Sequence, residues 1–251
     1  MAKKLIVGNW KLNPQTVEEG ERIIKGISRK IPKNLTVVIC PPAVFLSRFT
    51  KKGTKNPLKF GVQDVYFEQS GAFTGEYSPK MVLSVGALYS IVGHSERRVA
   101  GETSVTINKK VIAALKAGLT VILCVGEKER DHHGHYLSYL KGQIDDSLLG
   151  ITKTLVERLI IAYEPLWTIG PQSQGAMEPN DLHETSLFIR KVLHGQFGKS
   201  AFKIPVLYGG SVDPVNTARL VKEGNVDGLL VGRESIRPEH FLKIILEVAS
   251  L

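Results

Sequence analysis

Eight short apolar runs, each followed by a stretch of helical spacing, limit what this chain can fold into more than any single motif does. The runs fall at 5–8, 35–40, 59–63, 89–92, 119–124, 160–163, 204–208 and 228–231. They are rich in Val, Ile and Leu and do not alternate apolar with polar, which marks strands covered on both faces and hence a parallel sheet. Helical patterns follow at 16–30, 43–52, 79–85, 104–117, 136–149, 180–197, 214–222 and 238–248, with a further turn near 152–158. Eight such units within 251 residues predict an α/β fold, a (β/α)8 barrel of eight parallel strands rather than an open doubly wound sheet. No composition shift, linker or low-complexity stretch divides the chain, so residues 1–251 are expected to form a single barrel domain.

Charge and composition narrow the partners. The chain has 33 Lys and Arg against 24 Asp and Glu, a formal charge of +9. Such an excess suits nucleic acid, an anionic surface or a small anionic substrate. The lysines are scattered, without a block of like charge and without interleaved aromatics, so no nucleic-acid partner is expected. Steering of a phosphorylated metabolite is the milder reading. No apolar run approaches the roughly 18 residues of a membrane span, so no membrane association is expected. The start, Met1-Ala2-Lys3-Lys4-Leu5-Ile6-Val7, is basic but has too short an apolar stretch for a secretory signal. Cys40 and Cys124 each end a strand-like run, which suits buried free thiols and a cytoplasmic location.

A barrel places its chemistry at the C-terminal ends of its strands. Those positions are Asn9-Trp10-Lys11 after the first run, His94-Ser95-Glu96-Arg97 after the fourth and Glu164 after the sixth. Gly209-Gly210-Ser211 follow the seventh and Gly232-Arg233 the eighth. Each has a bland reading on its own: a loop ion pair for Glu164, a structural hydrogen bond for His94, a solvated charge for Lys11, a turn for the glycines. Gathered at one mouth, they suit proton abstraction next to a carbonyl. The carboxylate takes a C–H proton while imidazole and ammonium stabilise charge growing on oxygen. Ser95-Glu96-Arg97-Arg98 reads as a helix start, whose positive end favours neutral imidazole at His94 over imidazolium. Gly170, Ser211, Gly232 and Arg233 can offer backbone N–H groups to a phosphate. No cofactor is expected, since no dinucleotide-binding glycine pattern or P-loop is present. No metal is expected either: the one metal-like run, Asp131-His132-His133-Gly134-His135, sits in a polar loop entering a helix.

Longer segments carry a resemblance. Gly8-Asn9-Trp10-Lys11-Leu12-Asn13, Gly71-Ala72-Phe73-Thr74-Gly75-Glu76, Val92-Gly93-His94-Ser95-Glu96-Arg97-Arg98 and Cys124-Val125-Gly126-Glu127 are four of them. Ala162-Tyr163-Glu164-Pro165-Leu166-Trp167, Tyr208-Gly209-Gly210-Ser211-Val212 and Leu230-Val231-Gly232 complete the set. Through them the chain resembles the triosephosphate isomerase family from end to end. The resemblance implies a TIM barrel that interconverts dihydroxyacetone phosphate and D-glyceraldehyde 3-phosphate through an ene-diolate, in glycolysis and gluconeogenesis. It implies Glu164 as the base that shuttles the proton and His94 as the neutral electrophile, the division of roles for which the family is generally known. Lys11 would offset the substrate's negative charge, Asn9 would donate to its oxygens, and Glu96 would support the site. Gly170, Ser211, Gly232 and Arg233 fall where the family holds phosphate. Ile169 and Leu230 match the apolar pair that dries Glu164 and raises its basicity when the lid shuts. A cytosolic homodimer is also implied, with the loop around Thr74 reaching the neighbouring active site.

Two departures stand out. The lid run 171–179 is about two residues longer than the family's and places Pro171 directly after Gly170, fixing φ and removing an N–H where the lid must hinge. Arg233 stands where the family often has glycine, so its backbone N–H serves phosphate only if the required φ admits a Cβ. Two other readings stay open at the level of sequence. One is a barrel isomerase for a bulkier sugar phosphate, marked by poor turnover of triose phosphates. The other is a non-catalytic barrel binding anions or nucleic acid, marked by steep salt dependence that survives loss of Glu164.

Overall fold

The computed structural model describes residues 3–28, 30–50, 57–131, 133–170 and 175–251. The strands are β1 (Lys4–Asn9), β2 (Leu35–Cys40), β3 (Lys59–Val62), β4 (Tyr89–Val92), β5 (Thr120–Val125), β6 (Leu159–Tyr163), β7 (Val206–Tyr208) and β8 (Gly228–Val231). Between and after them run α1 (Val17–Ser28), α2 (Ala43–Phe49), α3 (Pro79–Ser84), α4 (Ser95–Val99), α5 (Ser104–Ala117), α6 (His135–Ser147), α7 (Pro179–Phe197), α8 (Thr217–Lys222) and α9 (Pro238–Ala249). The strands pair in chain order, all parallel, and β8 returns to β1 to close the sheet. The architecture is the closed eight-stranded TIM barrel.

Both strand faces are apolar because both are buried, but by different partners. Leu5, Val7, Val38, Cys40, Ile91, Ile122, Cys124, Ile160, Ala162, Leu207 and Leu230 fill the barrel interior. The alternate residues Ile6, Val37, Ile39, Val121, Leu123 and Ile161 join the cluster under the helices. Thus the two-residue period of a strand survives as a choice between two dry environments. Closure depends on Gly228, opposite Leu5: a Cβ there would lie 1.7 Å from the Leu5 carbonyl oxygen.

The elements depart from the sequence expectation mainly at their ends. The seventh run, expected at 204–208, pairs only from Val206, because Pro205 has no N–H to give to a ladder. The seventh helical pattern, expected from 214, begins at Thr217. Asp213 accepts the N–H groups of Val215 and Asn216 through its carboxylate and delays the helix by a turn. The helix start read at Ser95-Glu96-Arg97-Arg98 is α4, so β4 is followed by two helices. The expected helix at 43–52 ends at Phe49, and residues 51 and 52 lie outside the described residues, as does Arg29 of the pattern at 16–30.

Candidate active site

Glu164 leaves β6 at the barrel mouth and its backbone is held on both sides. Its N–H donates to the Val125 carbonyl at 2.7 Å, and the Gly209 N–H donates to the Tyr163 carbonyl at 2.8 Å. Two glycines make room for it. A Cβ at Gly126 would lie 1.8 Å from the Glu164 carbonyl oxygen, and one at Gly209 would lie 2.9 Å from Glu164 Cγ. The carboxylate is 2% exposed. Its Oε2 accepts the Ser95 N–H at 3.1 Å, and Oε1 lies 3.2 Å from His94 Nε2.

His94 stands at the N-cap of α4, where its own Nδ1 accepts the Glu96 N–H at 3.2 Å. A ring nitrogen that accepts a backbone N–H carries no proton of its own. The imidazole is therefore neutral, with its proton on Nε2 facing Glu164. Cys124 completes the floor of the site. Burial drives its thiol well above the usual range, and the neighbouring Glu164 carboxylate pushes it further, so it stays protonated and can donate to the carboxylate.

Lys11 follows β1 with φ of 51°, a left-handed conformation that non-glycine residues adopt only when held. Asn9 and Gln63 hold it: Asn9 Oδ1 accepts its N–H at 3.1 Å, and its carbonyl accepts Gln63 Nε2 at 2.8 Å. Its ammonium donates to Glu96 Oε1 at 2.6 Å. Gln63 ends the third apolar run and is thus a further strand-end residue of the site, beyond those named from the sequence.

The lid departs from β6 through Pro165 and the turn Leu166–Thr168. Glu127 Oε1, buried, accepts both the Tyr163 hydroxyl at 2.7 Å and Trp167 Nε1 at 2.9 Å, fixing this hinge. Ile169 is half-buried, and Gly170 has φ of 86°, a value that favours glycine. Pro171, the expected hinge change, lies with residues 172–174 outside the described residues. On the far side, the Met177 N–H donates to the Tyr208 hydroxyl at 3.3 Å. Burial raises the Tyr208 hydroxyl's pKa, and hydrogen bonds from Met177, Thr168 and Ser211 counter that in part. One phenol therefore joins both hinges to the β7 loop. Gly210 permits this, since a Cβ would lie 2.3 Å from that hydroxyl.

At the β8 end, Gly232 has φ −85° and ψ −109°, and Arg233 starts a tight turn through Ile236. Among the described non-glycine residues only Lys11 and Asn225 have positive φ. Arg233 therefore accommodates its Cβ without strain. Its side chain is 81% exposed, with Nε 3.4 Å from Glu234 Oε1.

A cavity of about 430 Å³ is lined by Asn9, Lys11, His94, Glu96, Glu164, Gly170, Ser211, Gly232 and Arg233. The structure thus brings the nine candidate catalytic and phosphate-binding residues to one mouth. Volume alone does not select this cavity. A groove of about 440 Å³ between α3 and α5 carries Lys80, Lys109 and Lys116 but has no imidazole to pair with a carboxylate. The histidine-rich run also resolves into a structural role. The Asp131 carboxylate accepts the N–H groups of His133, His135 and Tyr136 at 2.8, 3.1 and 2.8 Å, closing the start of α6. Among the described residues no group of three or more His, Cys, Asp or Glu is placed to hold a metal; His132 lies outside them.

Comparison with known proteins agrees with this geometry. The family model described as triosephosphate isomerase matches residues 4–248. A triosephosphate isomerase of Natranaerobius thermophilus is 40% identical over 253 aligned positions, covering 99% of this chain and 97% of the relative. One from Endomicrobium trichonymphae is 38% identical over 250, covering 98% of each. A match that runs from the first strand into the last helix, at these identities, makes the chain a member of the triosephosphate isomerase family.

Proposed function

We propose that this cavity interconverts dihydroxyacetone phosphate and D-glyceraldehyde 3-phosphate, with Glu164 as the base and His94 as the electrophile. The observation that carries this reading is the pairing of a buried carboxylate with a neutral imidazole N–H at 3.2 Å across one cavity. Without substrate the two groups satisfy each other. A substrate carbonyl placed between them takes over the His94 Nε2–H, which frees Glu164 Oε1 to remove the proton from the adjacent carbon. The C–H electron pair becomes the C=C bond of the ene-diolate, and the carbonyl oxygen gains the charge that Nε2–H and the Lys11 ammonium stabilise. Moving the hydroxyl proton from one ene-diol oxygen to the other and returning the abstracted proton to the neighbouring carbon complete the isomerisation, so no electrons leave the substrate.

Asn9 orients the substrate oxygens, and Glu96 holds the Lys11 ammonium over the mouth. The backbone N–H groups of Gly170, Gly232 and Arg233 take the phosphate, joined by that of Ser211 once it leaves the Tyr208 hydroxyl, as loops after the last strands of such barrels do. The chain 1–251 works as one barrel domain, in the cytoplasm and as a homodimer. No helix among the described residues is long and apolar enough to cross a membrane. A coupled assay of both triose phosphates with purified protein tests the assignment. Turnover should fall at least about a thousandfold in Glu164→Gln, within the range for loss of an acid–base group. Equal rates in the two proteins would overturn it.

A further inference from the structure

The turn that presents Gly232 and Arg233 holds a carboxylate that the reaction above does not use. Glu234 is 7% exposed and lines the cavity. A buried carboxylate beside an anion site is unfavourable unless its charge is met. Here it is met on both oxygens. Oε2 lies 2.7 Å from His240 Nδ1, and since a carboxylate only accepts, the histidine donates. Oε1 lies 3.4 Å from Arg233 Nε and 3.6 Å from an Arg237 guanidinium nitrogen. One carboxylate against two guanidinia leaves the cluster net positive.

The placement of this cluster matters as much as its charge. The Gly232 carbonyl accepts the Ser235 hydroxyl at 2.6 Å, and Ser235 packs on β1 at Gly8, where an added Cβ would lie 3.0 Å from the Ser235 Cβ, so the turn sits directly against β1. The Glu234 side chain in turn reaches His240 in the first turn of α9. α9 is itself fixed to the barrel by Phe241, Ile244 and Ile245, none of which is exposed. The two N–H groups assigned to phosphate open the turn that these contacts hold.

We propose that Glu234 is a positioning residue for the substrate phosphate. Its bond to His240 locks the Gly232–Arg233 backbone against α9, and its ion pairs fold the two guanidinia back over the carboxylate at the rim. This inference rests on the phosphate assignment given above. The test measures kcat and KM for D-glyceraldehyde 3-phosphate, competitive inhibition by inorganic phosphate, turnover of phosphate-free D-glyceraldehyde, and thermal melting. The variants are Glu234→Ala, Glu234→Gln, His240→Ala and the double variant Glu234→Ala/His240→Ala.

In Glu234→Ala and in His240→Ala, KM and the phosphate inhibition constant should each rise about fivefold, as for one lost buried hydrogen bond. D-glyceraldehyde turnover should fall by much less. Glu234→Gln, which still accepts from His240, should recover part of the affinity. The double variant should be no worse than either single one, because both remove the same bond. His240 is half-exposed, so His240→Ala carries the test even if Glu234→Ala does not fold. An unchanged phosphate constant in the variants, additive effects, or an equal loss with D-glyceraldehyde would overturn the proposal. If inorganic phosphate fails to compete in the unmodified protein, the phosphate assignment falls first and takes the proposal with it.

Discussion

Glu164 and His94 illustrate how little of a residue's chemistry resides in the residue. Either side chain, at a strand end in isolation, is an ordinary loop group. Burial of the carboxylate, the Ser95 N–H on one of its oxygens and the Nε2–H on the other convert the pair into a base and a donor facing one space. The position of the carboxylate should then matter as much as its charge. Glu164→Asp withdraws the oxygens by about 1.5 Å, one C–C bond. It should lower kcat about a hundredfold, with KM within a few-fold, in steady-state kinetics. A large rise in KM at unchanged kcat would assign Glu164 to binding instead. The sequence made this pair legible because both residues end apolar runs. It did not disclose Gln63 or Cys124 as neighbours of the site. Gln63 ends the third run and is within reach of the same reasoning; the contacts themselves, a Gln63 amide on the Lys11 carbonyl and a thiol against a carboxylate, cross strands and leave no local pattern.

At the scale of elements, the run after β6 is anchored by contacts at both of its described ends. Glu127 holds Trp167 at one end and the Tyr208 hydroxyl holds Met177 at the other, so both described ends are tied to neighbouring strands' ends, after β5 and at β7. Tyr208→Phe removes that hydroxyl while keeping the ring packed, and leaves the buried Met177 N–H without its partner. The expected result is a fall in kcat/KM of about tenfold or more with little change in melting temperature. Unchanged kinetics would show that the far hinge is set elsewhere. Helices and strands were readable from periodicity to within a few residues. Their ends were not, because a side-chain cap such as Asp213, or a missing donor such as Pro205, shifts a boundary without changing the apolar pattern.

For the whole molecule, barrel closure in chain order places the loops after β1, β2, β3 and β4 side by side. Leu12, Val44, Phe73 and Val99 on those segments are all exposed, the least at 40%. Exposed apolar residues on consecutive loops at one end of the barrel suit the self-association proposed above. Thr74, exposed at the tip of the same face, is the position from which to break it. Thr74→Arg should sediment as a monomer and lose about tenfold or more in kcat if the neighbour's loop steadies the mouth. A monomeric unmodified protein would refute the dimer. The sequence by itself determined the number and order of the strands, their burial on both faces and the short set of residues at their ends, because a strand's period and a run's length are properties of neighbours in the chain. Only the tertiary structure decided that those ends meet around one cavity, which nitrogen of His94 faces Glu164, and that Glu234 lies buried beside the phosphate turn. Those distances are set by the closure of the sheet, where Gly228 lets β8 reach β1, and by glycines such as Gly126 that let adjacent strands approach. Both act between residues far apart in the chain, where no local pattern reaches.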